Sequence, residues 1–424
     1  MKTGVTDQPT SAERPDGIGV IGSVLFVVFT VFILGFYLLP SNRDLASAPH
    51  DLLFYFGMLP VFLVLGGRNL WQAFRWGDSG ARLLGLGLAL VIYLGLSAAW
   101  TTGDRELSLS TIVLTTLGTA VFLVGSSQML VSGRWMQLRV IIVAAATTIA
   151  GASIIAHFLG YQTHPGRLTS VIHFEHPNLF AHYVGFAALI CWSRFLEPRR
   201  PRGRDAWVWA TAGLILAAAL VLTLGRAPMG ACAVAAVLGL ILTRDRVFTA
   251  VFALVIVAIC GGFYVVGGDW GPSLISRGEA GRFFIYQNLI ERMDGRWLTG
   301  VGLAASDDVV FPKGNENFPK GFTMPHTHSA FVATFFHGGI LGLGLMLVLI
   351  GEAGRQAWRI ARRRGDPTGS MLLIFGIVCL VLDGNRLVSN PHLSSWLIFW
   401  LPIAWIIAAG RWDDSQPVTG PDDR

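Results

Sequence analysis

"GIGVIGSVLFVVFTVFILGFYLL", residues Gly17–Leu39, runs without a charged side chain, a histidine or a proline. At a helical rise of about 1.5 Å per residue, a stretch of this length crosses the roughly 30 Å hydrocarbon core of a bilayer. A barrel strand would be about half as long and would alternate polar with apolar residues, which this stretch does not do. It is also longer than the h-region of a signal peptide, so it reads as an uncleaved first span, although Ala46-Ser47-Ala48 resembles a cleavage site.

The same pattern recurs along the chain. Apolar stretches at 17–39, 51–66, 83–100, 107–128, 139–160, 179–196, 207–224, 228–242, 247–267, 329–350, 370–386 and 393–410 give twelve candidate spans. A content of 53% hydrophobic and 14% charged residues over 424 positions lies outside the range of a soluble domain. The expected fold class is an all-α integral membrane protein of about twelve transmembrane helices, a single polytopic domain over residues 1–424. One large loop, 268–327, separates spans nine and ten, and the tails 1–16 and 411–424 read as irregular ends. Cys191, Cys232, Cys260 and Cys379 all fall inside apolar segments, which indicates packing rather than a disulfide frame or a thiolate metal site.

The net charge of +6 follows topology rather than nucleic acid. Arg68, Arg75 and Arg82, then Arg134 and Arg139, Arg199 to Arg204, Arg244 and Arg246, and Arg355 to Arg364 crowd the links after spans two, four, six, eight and ten. The positive-inside rule makes these links cytoplasmic, with both termini on the same side. The short links on the other face hold about one basic residue each: Arg43, Arg105, Arg167, Arg226 and Arg386. Long translocated segments escape that rule, so the six basic residues of the large loop do not reverse the assignment. Every histidine then falls in or near the outer half of the protein. Chemistry that uses imidazole would take place where nucleotides are absent, and an energised donor must already be carried in the membrane.

Three histidines gather in "TMPHTHSAFVATFFHGGILG", Thr323–Gly342. If Pro325 opens a helix at its first turn, His328 lies about 200° round from His326 and about 180° from His337. On that geometry the three do not form one cluster, and a zinc site is not expected, since helical metal pairs need i, i+3 or i, i+4 spacing. Arg226 sits between two apolar runs, where a guanidinium costs about 2.5 kcal/mol or more unless it snorkels or meets an anion. It is either a helix-end residue or a phosphate clamp. Arg282, with Arg277 nearby, offers forked donors that suit a diphosphate, the alternative being a solvated loop arginine; Arg167, beside "HPN", is a further candidate. Asp307-Asp308 is an adjacent carboxylate pair in the large loop, and the early outer links add Asp44, Asp104 and Glu106.

His328-Ser329, nine residues, Gly339, two residues and Gly342 resembles the H-[NSQ]-x9-G-x-x-[GTY] pattern of the O-antigen ligase family. "TLGRAPMGA", Thr223–Ala231, looks like that family's short outer hairpin. "GRFFIYQNLI", Gly281–Ile290, followed by "WLTGVGL", Trp297–Leu303, resembles its G-R-x-x-x-[WY] and G-x-G elements. "HPNLFAHY", His176–Tyr183, resembles the H-P-N-x-x-A that opens a middle span. Gly225 stands where many relatives have serine, and Tyr286 where tryptophan is common; neither departure removes a charge.

The resemblance implies a GT-C-like glycosyltransferase of the bacterial inner membrane with a periplasmic active site capped by loop 268–327. The donor would be O-antigen on undecaprenyl diphosphate and the acceptor lipid A–core, with membrane lipid as the surroundings and no nucleic acid, metal or other cofactor. His328 would be the general base of an inverting transfer, with Ser329 beside it and His326 orienting the base or the acceptor. Arg226, Arg282, Arg167 and Arg277 would hold the diphosphate, and His337 would contact a neighbouring span. His173, His176 and His182 would order the loop and helix entry. The same motifs occur in O-antigen and exopolysaccharide polymerases. A transporter of lipid-linked sugar is the reading from a different class; no matched pair of Gly/Pro-broken spans supports it.

Overall fold

A computed structural model of the chain describes residues 17–39, 48–64, 79–102, 104–131, 134–161, 166–172, 176–244, 281–311, 319–390 and 395–414. Helices dominate because a backbone in hydrocarbon must satisfy its N–H and C=O groups within its own segment. In chain order they are α1 (Gly17–Leu38), α2 (Pro49–Val64), α3 (Ser79–Ser97), α4 (Leu109–Val131), α5 (Trp135–Phe158), α6 (Pro177–Leu196), α7 (Gly203–Leu222) and α8 (Arg226–Thr243). After them come α9 (Arg282–Arg292), α10 (Ala330–Arg364), α11 (Thr368–Asp383) and α12 (Trp396–Arg411). A single antiparallel pair, β1 (Val309–Phe311) and β2 (Phe322–Met324), places Val309 opposite Met324.

Seven of these helices, α3 to α8 and α10, are long and apolar enough to cross a membrane, and four shorter apolar helices lie within α1, α2, α11 and α12. The chain is therefore a multi-pass, largely helical membrane protein. The candidate span 247–267 and Arg277 lie outside the described residues. The largest differences from the sequence reading are at α10 and the C-terminal end. Helix α10 begins at Ala330 rather than at Pro325 and runs past the expected end at 350 to Arg364, so Arg355 to Arg364 belong to the helix rather than to a link. Helical structure after α12 continues to Asp414, into the stretch expected to be irregular.

The bundle is organised around α11 and α12. Helix α12 is apolar on all sides, with Trp396, Trp400 and Trp405 almost wholly buried, as befits a helix at the centre of a protein rather than on its surface. It packs on α3, α4 and α11, while α11 packs on α6, α8 and α10. Lipid tails are as apolar as leucine, so close packing has to replace the hydrophobic effect between helices. Gly376 of α11 shows this, since a Cβ there would overlap the Ile398 carbonyl. At its other end α11 is held by a buried polar contact. The Arg139 guanidinium donates to Thr368 Oγ1 at 2.8 Å and pairs with Glu197 at the end of α6.

Helix α10 is not continuous. Gly339 has φ 62° and ψ −162°, a conformation essentially restricted to glycine, and the break frees backbone groups. The segment Trp297–Gly302 takes them up. Ile340 N–H donates to the Trp297 carbonyl at 2.7 Å and Leu341 N–H to Leu298 at 3.1 Å. In return Val301 N–H donates to Phe336 at 2.9 Å and Gly302 N–H to His337 at 3.0 Å. Tyr93 of α3 closes the gap by donating its hydroxyl to the Gly338 carbonyl at 2.8 Å. A Cβ on Gly339 would overlap the Leu298 carbonyl, and one on Gly300 would overlap that of His337. The G-x-G of the loop and the G-x-x-G of α10 are thus two halves of one contact.

Gly339→Ala is expected to lose about 1–3 kcal/mol through backbone strain alone, and more from the overlap. Gly344→Ala, in helical geometry with open space around it, should be neutral or slightly stabilising. Thermal unfolding of the purified protein in detergent checks this; equal melting of the two variants refutes the interlock.

Candidate active site

The site grows from the start of α6. Pro177 occupies its first turn, and His176 caps it by accepting Asn178 N–H on Nδ1 at 3.3 Å. That capping places the Asn178 amide between two partners: Oδ1 accepts from Arg167 Nη2 at 2.8 Å, and Nδ2 donates to Asp383 Oδ2 at 2.9 Å. Asp383 is the last residue of α11. Its second oxygen, Oδ1, lies 3.0 Å from Nδ1 of His328. A carboxylate only accepts, so Nδ1 carries an imidazole hydrogen, and in the neutral ring Nε2 keeps the lone pair. Nε2 faces Met324 Sδ at 3.2 Å.

His328 adopts φ 56°, the left-handed region that a residue with a Cβ enters only under constraint. The constraint is local. Thr327 Oγ1 donates to the Ser329 carbonyl at 2.8 Å and accepts Ser329 N–H at 3.2 Å, bridging across His328. Ser329 then caps α10 by accepting Val332 N–H. Because residues before Ala330 are not helical, the angular argument for separating His326 from His328 does not apply. Their rings stand 4.2 Å apart at 61°.

His337 does lie elsewhere, but its partner is the outer loop rather than a neighbouring span: Nδ1 donates to the Gly302 carbonyl at 2.9 Å. His182 of α6 is fully buried within electrostatic reach of Asp383, and neither ring nitrogen has a hydrogen-bond partner among the described residues.

Three of the four arginines singled out from the sequence flank this network. Arg167 Nε donates to the Thr223 carbonyl at 2.9 Å, which ties it to the hairpin that carries Arg226. In that hairpin Leu224 has φ 50°, Thr223 Oγ1 accepts Gly225 N–H at 3.2 Å, and Arg226 opens α8 with its side chain exposed. A Cβ at Gly225 would come 2.9 Å from the Ala181 Cβ. Arg282 follows Gly281, at φ 72°, and begins α9. One turn on, Tyr286 lies near Ser329 and feels the charges of Arg282 and Asp383, while burial pushes its hydroxyl above the usual range. Sequence reasoning did not single out Asp383, and it met Asn178 and Tyr286 only as motif positions without a role. Asp383 carried a signal, as the one charged residue of α11.

A second buried cluster lies three residues beyond Asp383. The Arg386 guanidinium pairs with Asp307 and Glu106 and reaches the Ala305 carbonyl at 3.3 Å, and His337 Nε2 lies 3.7 Å from Asp307 Oδ2. Burial alone would raise the Asp307 carboxyl, but His337 close by and the Arg386 charge outweigh it and hold the group well below the usual range. Oxygens of Glu106, Asp307 and Asp308 lie within 4.8 Å of one another, a spacing that suits a cation. Arg386 already bonds two of the three, so a cation would have to displace it.

Because its folded-state pKa is depressed, Asp307 contributes stability above its ordinary 3.8 and loses it as pH falls. Asp307→Asn should therefore flatten the acid limb of a melting-temperature profile. Arg386→Met leaves a buried carboxylate unpaired and should cost about 3–5 kcal/mol. An unchanged melting temperature in Arg386→Met refutes the pairing.

A family model described as O-antigen ligase matches residues 211–347, a window that takes in Arg226, Arg282, His328 and Gly339. Over 328 residues the chain is 24% identical to an O-antigen ligase of Pseudomonas aeruginosa, covering 76% of each chain. Both agree with the arginine and histidine motifs gathered around Asp383, and over residues 211–347 the chain is similar to the O-antigen ligase family.

Proposed function

We propose that the protein transfers O-antigen glycan from undecaprenyl diphosphate to a sugar hydroxyl of lipid A–core at the periplasmic face of the bacterial inner membrane. The observation that carries this reading is the His328–Asp383 pair with arginines on its flanks. In the proposed step the acceptor oxygen attacks the anomeric carbon as the bond to the diphosphate breaks. His328 Nε2 takes the hydroxyl proton and the lipid diphosphate leaves. Asp383 fixes the tautomer that leaves Nε2 free to accept, and stabilises the imidazolium as it forms. Displacement by one base without a covalent intermediate inverts the anomeric centre.

Arg226 and Arg282 are the diphosphate ligands in this scheme, each at a helix N-terminus where the backbone dipole adds to the guanidinium charge. Arg167 takes a different part. Two of its donors hold Thr223 and Asn178, so it orders the pocket between the hairpin and Asp383. Arg277 stays a sequence-based candidate for the same diphosphate. Tyr286, on the Arg282 helix and near Ser329, sets the distance between donor and base. The break in α10 is filled by the protein's own loop rather than lining a path across the membrane, which favours an enzyme over a carrier.

Incubation of the purified protein with lipid-linked O-antigen and lipid A–core in the presence of a chelator tests the reaction. Glycan joined to lipid A–core is the expected product; donor left intact refutes the reading. In the same assay His328→Ala should abolish transfer while the protein still inserts, and Asp383→Asn should lower kcat by about 10²–10⁴-fold. Arg282→Ala is expected to weaken donor binding, and unchanged donor affinity removes it from the diphosphate site.

A further inference from the structure

His328 turns one nitrogen to Asp383 and the other to a sulfur atom. Nδ1 carries the hydrogen shared with Asp383 at 3.0 Å, and in the neutral ring that acts as a base Nε2 turns its lone pair to Met324 Sδ at 3.2 Å, where a thioether has no hydrogen to offer it. A general base takes its proton from a hydroxyl whose oxygen stands about 2.6–3.2 Å away. The sulfur fills that shell.

Met324 is firmly held there. It is 6% exposed, ends β2, and belongs to the loop's apolar core with Ile285, Leu289, Phe311 and Phe336. Strand β1 is fastened in turn to α9, because Phe311 stacks at a tilt on Phe284 with ring centroids 4.8 Å apart. The unit that carries Arg282 therefore also carries the sulfur.

Resting on the glycosyl-transfer reading above, we propose that Met324 gates the base: its thioether keeps water from Nε2 until an acceptor sugar displaces it. Without such a gate, water at Nε2 would attack the anomeric carbon. A bond from the water oxygen to that carbon would form as the bond to the diphosphate broke, and Nε2 would take the proton. Free glycan and lipid diphosphate would be the wasted products. Water gains little by displacing an apolar group packed in a core. A sugar ring offers apolar C–H surface against the loop and hydroxyls for His326 and His328, so it can exchange contact for contact. Methionine suits the task because its unbranched chain swings aside without unfolding β2.

The test uses full-length protein, lipid-linked glycan with and without lipid A–core, and separate measurement of free and transferred glycan. Modification of His328 by diethyl pyrocarbonate, read on its peptide by mass spectrometry, reports access to the base. In Met324→Ala the ratio of free to transferred glycan should rise about tenfold or more, with faster modification of His328, whereas Met324→Leu should stay within about twofold of the unaltered protein. Alanine also thins the loop core, so Met324→Gln supplies a second arm. Its amide keeps the length of methionine and donates to Nε2, and should lower kcat for transfer while hydrolysis stays low. The gate is overturned by a Met324→Ala protein that melts normally, partitions like the unaltered protein and is modified no faster, or by full transfer in Met324→Gln. Unaltered protein that consumes no donor with acceptor present overturns both readings, whereas normal transfer with indifferent Met324 variants overturns the gate alone.

Discussion

A transmembrane helix cannot be broken without something to receive its exposed backbone, and α10 is broken at Gly339. The receiving group is the segment Trp297–Gly302 of the outer loop, which exchanges four backbone hydrogen bonds across the gap. The loop is consequently part of the bundle rather than a cover laid on it. Its own small core of Ile285, Leu289, Val309, Met324 and Phe336 includes a side chain from α10 itself. Displacing the loop would leave carbonyls and N–H groups of α10 unpaired, at a cost far greater than that of moving an ordinary surface loop.

Charge is handled in the same economical way at both ends of α11. At Thr368 a buried guanidinium from α5 meets the glutamate that ends α6. At Asp383 the Asn178 amide and, in its base form, the His328 imidazole satisfy the carboxylate, and Arg386 lies just beyond with acidic partners of its own. A carboxylate satisfied mainly by neutral donors keeps most of its field, and that field is what an imidazolium forming at His328 would draw on. Asp307, by contrast, meets a full positive charge and has nothing left to lend. Of the two aspartates, the partly buried Asp383 is fitted for a reacting centre and the fully buried Asp307 for a fastening.

What the sequence made legible followed from periodicity and from charge. Uncharged apolar runs located the helices, since nothing else is stable in hydrocarbon, and the G-R and H-S motifs marked Arg226, Arg282 and His328 because polar groups between apolar runs need a reason. Asp383 escaped because a single acid at the end of an apolar run looks like a solvated helix end, and only tertiary structure reveals that it meets His328 across 55 positions of chain. The neighbouring pair His326 and His328 was misjudged for a different cause. The wheel assumed that Pro325 starts a helix, whereas Thr327 and Ser329 close a tight turn that brings both rings together. The role of glycines 300 and 339 in a shared contact was likewise invisible, because each is explained only by the other.

The placement of α12 bears on how the protein is made. This helix, the last in the described chain, supplies the buried tryptophans at the centre of the bundle. On the ribosome, therefore, the centre arrives after its walls. Earlier helices must enter the bilayer and wait with lipid filling the place that Trp396, Trp400 and Trp405 will take. Until α12 joins them, the helices that precede it would form an inserted but hollow assembly.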